Sequence, residues 1–301
     1  EITQVQNNQT VKKLIPVLLT FLLTIGSLSA QNNMDEVKIS VEKVADNIYV
    51  LYGSGGNIGL AVGDDYAYMI DDQFAALSEK ILAAVKTVTD KPIKYLVNTH
   101  WHGDHTGGNE NMANAGAIIV AHESVRKRMS QAQTADSAVP FKSLPEITFT
   151  DELNIHLDEN HMLMVLHVDA AHTDGDSFIF FPESNVIHLG DNYPNGGYPY
   201  IDVNSNGDIE GLVKNLNSAL FLVNDQTKII PGHGKVSNRA ELKAYRDMVD
   251  TIRGRVKMQK EAGKSLEDIQ AMGLTKEWDE QFGKGFINSS RLIESIYKTV
   301  D

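Results

Sequence analysis

The chain has 301 residues, 42% of them hydrophobic, enough for one large domain or two modest ones with a full core. Its formal net charge of -13 disfavours a nucleic-acid partner, because a polyanion is repelled except at a local positive site. With no cysteine, disulfides, thiol nucleophiles and thiolate metal ligands are excluded, so any metal must be held by imidazole and carboxylate.

Residues 1–30 read as a signal peptide. Lys12 and Lys13 precede the apolar run LIPVLLTFLLTIG, and SLSA supplies small residues for cleavage near Ala30. The run is shorter than the ~20 residues a bilayer span requires, so no stable membrane anchor is expected. The expectation is a periplasmic or secreted protein of residues 31–301.

Past residue 36, VKISVEKV, NIYVLYG, NIGLAVG and YAYMID alternate in hydropathy between Gly, Asn and Asp punctuation, which predicts an antiparallel meander. A helix is expected over 73–88, with Phe74, Leu77, Ile81, Leu82 and Val85 on one stripe. IKYLVN and AIIVAH read as strands, and a helix follows the second. Residues 130–145, holding Pro140 and Pro145, mark the expected seam between two halves. ITFT, LNIHL, HMLMVLHV, SFIFF and NVIHL then supply a second set of strands. A helix at 208–222, the short strand KII and a helix over 237–261 complete the core. Two strand groups, each followed by helices able to cover an outer face, predict an α/β fold of two sheets between helical layers. From about 262, LEDIQAMG and INSSRLIESIYKTV carry further helical patterns that pack on the domain or on a partner.

Between the strand IKYLVN and the next helix stands NTHWHGDHTGGN, residues 98 to 109. His100 and His102 are two apart on an extended segment and leave the same face, so they can grip one cation. Gly103 frees the backbone to turn, which lets Asp104 and His105 address a second position nearby. Three histidines and an aspartate within six positions bring no packing benefit, and imidazole with carboxylate suits Zn(II) first among divalent metals.

The run His100-Trp101-His102-Gly103-Asp104-His105 is the H-x-H-x-D-H hallmark of the metallo-β-lactamase superfamily, which this sequence resembles over roughly residues 37 to 260. His172 in HVDAAHTDGD, Asp191 in HLGDN and His233 in IIPGHG stand in the family's order. The resemblance implies an αβ/βα four-layer sandwich with two zinc ions per chain. The first zinc takes His100, His102 and His172; the second takes Asp104, His105 and His233; Asp191 is shared. It also implies a hydrolase, exported if the signal-peptide reading holds, that cleaves an amide or ester bond of a small carbonyl substrate, with hydroxide generated between the zinc ions as nucleophile and Asp104 orienting it or carrying its proton.

Ligand order and spacing resemble the B1 zinc β-lactamases, which makes β-lactam ring opening the leading expectation. Two positions depart from that pattern: Asp191 stands for a cysteine, and Pro194 for a lysine that grips the substrate carboxylate. An Asp at the shared position is what glyoxalase II thioesterases and lactone hydrolases show, so a lactone or thioester substrate is the alternative. A non-catalytic metal-binding protein that retains the fold is a third reading. Asn204 or Asn206 either supplies an oxyanion donor or forms a turn before the helix. GSGGN, residues 53 to 57, is either a flap over substrate or a plain hairpin turn. Tyr198 and Tyr200 either line the pocket or sit on the surface, and Lys235 is an anion anchor or a solvated lysine. Asp71, Asp174 and Asp176 are candidates to support a metal-bound imidazole or, for the last two, to shape a turn. His122, His156, His161, His167 and His188 are expected to be structural.

Overall fold

The computed structural model describes residues 34–131 and 139–300. The expected signal peptide lies outside the described residues. Residues 1–37 and 38–301 form separate units; of the first, only residues 34–37 are described, as one helical turn closed by Val37 N donating to Met34 O at 3.2 Å. Among the described residues no helix is long and apolar enough to cross a membrane.

The second unit is built on two sheets. The first holds seven strands in chain order: β1 (Ser40–Lys43), β2 (Ile48–Tyr52), β3 (Ile58–Val62), β4 (Ala67–Ile70), β5 (Ile93–Val97), β6 (Ile118–His122) and β7 (Ile147–Phe149). β1 to β4 form the antiparallel meander that the alternation predicts, whereas β4 to β7 run parallel. Parallel neighbours need long crossovers. Helix α1 (Ser78–Val88) supplies the one between β4 and β5, burying Ile81, Ala84 and Val85 and ending before Pro92.

The second sheet has the order β12-β11-β10-β9-β8, made of β8 (Glu152–His156), β9 (Met162–His167), β10 (Ser177–Phe181), β11 (Val186–His188) and β12 (Lys228–Ile230). β12 joins β11 in parallel, after the crossover of helix α5 (Ile209–Leu222). The position of ITFT departs from the expectation. Ile147–Phe149 is grouped by sequence with the second set of strands, yet it pairs parallel to β6 through Val120↔Ile147 and His122↔Phe149. Hydropathy marks a strand without naming its neighbour. The seam therefore falls at Thr150–Asp151, and the described residues of 130–145 belong to the β6–β7 crossover with α4 (Glu123–Gln131).

The sheets pack face to face. Ile48, Val50, Ile70, Val97 and Val120 from the first meet Leu163, Val165, Ile179, Phe181 and Ile230 from the second. The other face of the second sheet, through Phe178, Ile187 and Ile229, is covered by α5, α6 (Arg239–Glu261) and α9 (Ser289–Thr299). The outer-facing Leu60, Met69 and Leu96 of the first sheet are buried as well, which completes four layers. The C-terminal patterns form α7 (Leu266–Ala271), α8 (Asp279–Phe282) and α9; Leu292, Ile293 and Ile296 of α9 join the α5–α6 core, so this part packs on the domain.

The helix that follows the cleft loop is fixed at its start by Asp208, whose extended backbone lets Oδ1 accept from Glu210 N at 2.7 Å and Gly211 N at 3.1 Å. Asp208→Ala is expected to lower stability by about 1 kcal/mol, read as a lower urea midpoint at unchanged slope; an unchanged midpoint would show that the cap contributes nothing.

Candidate metal centre

The donor residues gather where strands end. Asp71 follows β4, His100 and His102 follow β5, His172 lies between β9 and β10, Asp191 follows β11 and His233 follows β12. A crevice outside the carboxyl ends of parallel strands is where α/β sheets leave room for ligands. Past Val97 the loop is pinned by Asn98, whose side chain exchanges hydrogen bonds with Asn109 at 3.1 and 2.9 Å. His102 is extended and starts α2 (Gly103–Thr106), which brings Asp104 and His105 to His233 and is followed by α3 (Asn109–Asn114).

The residues brought together are the seven that the sequence singled out. Donor atoms of His100, His102 and His172 lie within 4.8 Å of one another, as do those of His100, His105 and Asp191, and those of Asp104, His105 and His233. One carboxylate reaches several of them: Asp191 Oδ1 is 3.2 Å from His105 Nε2, and Oδ2 is 3.4 Å from His233 Nε2 and 3.6 Å from His172 Nε2.

Hydrogen bonds at the rim decide which nitrogen faces inward. His105 Nδ1 donates to Asp71 Oδ2 at 2.7 Å, His172 Nδ1 to the Tyr200 carbonyl at 2.6 Å, and His102 Nε2 to Asp202 Oδ2 at 3.0 Å. Carbonyl and carboxylate oxygens only accept, so the outward nitrogens carry the protons. The inward nitrogen of a neutral ring is then a lone pair. His172 Nε2 faces His102 Nδ1 at 2.8 Å, and His105 Nε2 faces His233 Nε2 at 3.3 Å. Two facing lone pairs repel unless a cation or a proton lies between them. His100 Nε2 and Asp191 Oδ1 are buried without a hydrogen-bond partner, a costly arrangement that a metal ion removes. The residues therefore fit a metal, and without one the cluster draws protons instead. The Asp191 carboxylate, followed by contact with Asp104, pushes His233 up to about 10. Burial pulls His105 down, but Asp191 and Asp71 outweigh it and raise it well above the usual imidazole range. Burial also raises Asp191, which His233 and His105 more than reverse. Burial lowers His100 and His172, leaving both neutral.

Two glycines admit this packing. A Cβ at Gly56 would lie 2.1 Å from His105 Cε1, and one at Gly232 would lie 2.0 Å from Asp191 Oδ1. Gly56 belongs to the GSGGN hairpin, which is tied down by Gly56 N to Asp104 O at 3.0 Å, Asn57 N to Gly232 O at 2.7 Å and Gln73 Nε2 to Gly56 O at 2.7 Å. These bonds make it a fixed wall of the site and favour the hairpin reading over the flap. Gly56→Ala is expected to shift the His105 ring and weaken divalent-metal affinity by roughly 10–100-fold, measured by metal competition; unchanged affinity would show that the ring has room to move.

The other candidates separate. Asp71, in the left-handed region at φ 59°, accepts from Thr99 N at 2.8 Å and Thr99 Oγ1 at 2.7 Å besides His105, so it orients both loop and ring. Asp176 receives the backbone N–H of His172 at 2.8 Å, and burial raises its pKa. Asp174 is engaged by Arg128 and by the Asn206 amide at 2.9 Å. Asn206 sits in a left-handed turn at φ 58°, as its turn reading expects, and lies outside the residues lining the cleft, which include Asn204. Lys235 is exposed and lines a separate groove with Tyr52 and Glu42. Tyr198 is buried and donates to Asp279 at 2.9 Å, while Tyr200 stacks on His102 with ring centroids 5.7 Å apart. His122 and His167 stack at 3.7 Å, His188 donates to Asn57 O at 3.1 Å, and His161 closes a turn on Asp158 at 2.9 Å. Sequence reasoning missed Asp202, which holds His102 and accepts from Ser205 at 2.5 Å. It also missed Trp101, donating to Ser205 at 3.1 Å, and Phe286, which reaches the cleft from the C-terminal part.

A two-sheet sandwich with imidazole and carboxylate donors converging at one sheet edge defines an α/β protein whose crevice could hold metal ions. The chain belongs to the metallo-beta-lactamase superfamily, whose family model matches residues 51–234. A hydroxyacylglutathione hydrolase of Pelagibacter ubique is 25% identical over 182 residues, covering 56% of this chain and 66% of that protein. A second, from Polaromonas sp., is 28% identical over 170 residues, 56% of this chain and 59% of that protein, so the chain spans under two thirds of both relatives. Among solved structures, the sec-alkylsulfatase Pisa1 from Pseudomonas sp. superposes with a TM-score of 0.69 at 18% identity, over 86% of this chain and 50% of that one. A metallo-beta-lactamase from Pontibacter korlensis superposes with a TM-score of 0.61 at 17% identity, over 71% and 99%. At these identities the superpositions show the fold alone.

Proposed function

We propose that the protein is an exported dinuclear zinc hydrolase that opens a carboxylic ester, thioester, lactone or lactam of a small molecule. The observation that carries this reading is the pair of facing imidazole nitrogens, 2.8 and 3.3 Å apart, with Asp191 between the clusters. His100, His102 and His172 would hold one zinc and Asp104, His105 and His233 the other, with the Asp191 carboxylate within reach of donors from both groups. Bound there, the two ions supply an activated water at neutral pH and polarise a carbonyl oxygen.

The chain's own groups do the remainder. Asp104 faces the cleft with its Oδ2 3.3 Å from His233 and held low by that contact although burial raises it; Oδ2 is turned to the donors, which leaves Oδ1 to take a proton from the attacking water and return it to the leaving group. Asn204 offers an amide donor to a developing oxyanion from the cleft wall. Asp202, Tyr200 O and Asp71 fix the tautomers of the imidazoles and keep their inward nitrogens basic.

Ligand order supports a β-lactam, while Asp191 and the hydroxyacylglutathione hydrolase relatives support an ester-type bond. The test incubates zinc-loaded protein lacking residues 1–30 with a carbapenem, a cephalosporin, an acyl-homoserine lactone and a thioester. At least one is expected to be opened at a rate that falls with chelator and returns with zinc. Two zinc ions per chain with none of the four opened would favour the non-catalytic metal-binding reading.

A further inference from the structure

Resting on the reading above, we propose that the non-reacting part of the substrate is neutral and apolar, and that Phe286 is the residue that sets its preferred size. The cleft that opens from the donor cluster has a volume of about 1100 Å³, at the upper end for small-molecule sites, so space remains beyond the reacting carbonyl. Its wall includes Trp101 and Tyr200 beside the donor imidazoles, and Phe74, Phe286 and Ile287. Among the described residues that line it, Arg128 is the one Lys or Arg, and its guanidinium gives Nε and Nη2 to Asp174 at 2.5 and 2.6 Å. Asp104 and Asp191 face the donors, and Asp202 is held by His102 and Ser205. A substrate carboxylate entering this wall loses water and finds no uncommitted cation among the lining residues, with Arg291 standing outside the lining over the Phe286 ring, whereas an alkyl or aromatic group gains ring contact.

Phe286 is presented by the loop between α8 and α9, beyond the residues that match the family model. The residue is 73% exposed, yet it is held: Tyr200 meets it edge-on at 5.7 Å, Arg291 lies over its ring at 4.6 Å, and Arg291 Nη1 donates to its carbonyl at 3.0 Å. An aromatic ring fixed at the mouth of a metal cleft buries too little in the core to be there for packing. Contact with substrate accounts for it.

The test uses 4-nitrophenyl acetate, octanoate and hemisuccinate, which share one leaving group. Zinc-loaded protein is expected to favour octanoate over acetate and acetate over hemisuccinate in kcat/KM. Phe286→Ala is expected to lower the octanoate-to-acetate ratio about tenfold, with Phe286→Leu recovering part of it. A preference for hemisuccinate, or a ratio unchanged in Phe286→Ala, overturns the inference and leaves the hydrolase standing. If none of these esters is hydrolysed, calorimetry with 2-decanone and 9-oxodecanoate, with saturating acetate on the metals, reads the wall without turnover. Tighter binding of the ketone, weakened in Phe286→Ala, is expected; equal or tighter binding of the carboxylate overturns it.

Discussion

Asp191→Asn is expected to cut kcat/KM by roughly 10³-fold on whichever substrate turns over and to reduce zinc content from two per chain to one. The side chain keeps its shape but loses its charge, and it turns an NH₂ group toward His105 or His233, atoms 3.2 and 3.4 Å away. A donor pointed at a cation site repels the ion that the carboxylate attracts. Because Asn fills the same volume against Gly232, the fold is expected to survive, which a thermal melt checks. Two zinc ions at full rate in this variant would show that Asp191 does not hold them.

Metal-free protein is expected to melt at progressively lower temperature as pH rises from 6.5 to about 10, and zinc-loaded protein to show the opposite trend. His233 sets the window: the Asp191 carboxylate raises it from 6.5 to about 10 in the folded state. Between those values the folded chain keeps a proton that the unfolded chain has released, so the stabilisation is complete below 6.5 and gone above about 10. Asp191 is the other half of the same interaction; its depressed carboxyl loses its contribution only as pH falls through the acid range, outside this window. Zinc has to displace the imidazole proton, so its affinity climbs with pH. At free zinc a thousandfold above Kd, linkage adds about 4 kcal/mol. Parallel melting profiles with and without zinc would show that the metal leaves His233 alone.

Much of this was legible in the sequence for a physical reason. The cluster from His100 to His105 follows a strand and is visible in the order of residues alone, whereas His172, Asp191 and His233 were readable through the resemblance to the family. Alternation marks β2, and apolar runs bounded by polar residues mark β5 and β9. Partnership is not local, which is why Ile147–Phe149 was grouped with the wrong sheet: nothing in three apolar-to-polar residues says that β6 rather than β8 lies alongside. The supports of the imidazoles divide likewise. Asp71 ends a strand beside the site and was readable. Asp202 is an unremarked acid 100 positions from His102, and Tyr200 contributes a backbone oxygen, for which no residue type is a signal. Asn206 illustrates the reverse: a residue type suited to donate to substrate is spent on a left-handed turn and on Asp174.

Every trio of donors takes two members from the loop beyond β5 and a third from the second sheet: His172 with His100 and His102, Asp191 with His100 and His105, His233 with Asp104 and His105. Each is a clasp with two prongs on one layer and one on the other. Cation capture thus waits for the layers to dock, and a ribosome-bound chain that has made only the first half has nothing with which to close it. Withdrawing the ion unfastens the same joint that the apolar faces hold shut, so chelation is expected to loosen the sandwich from the edge that bears the donors inward.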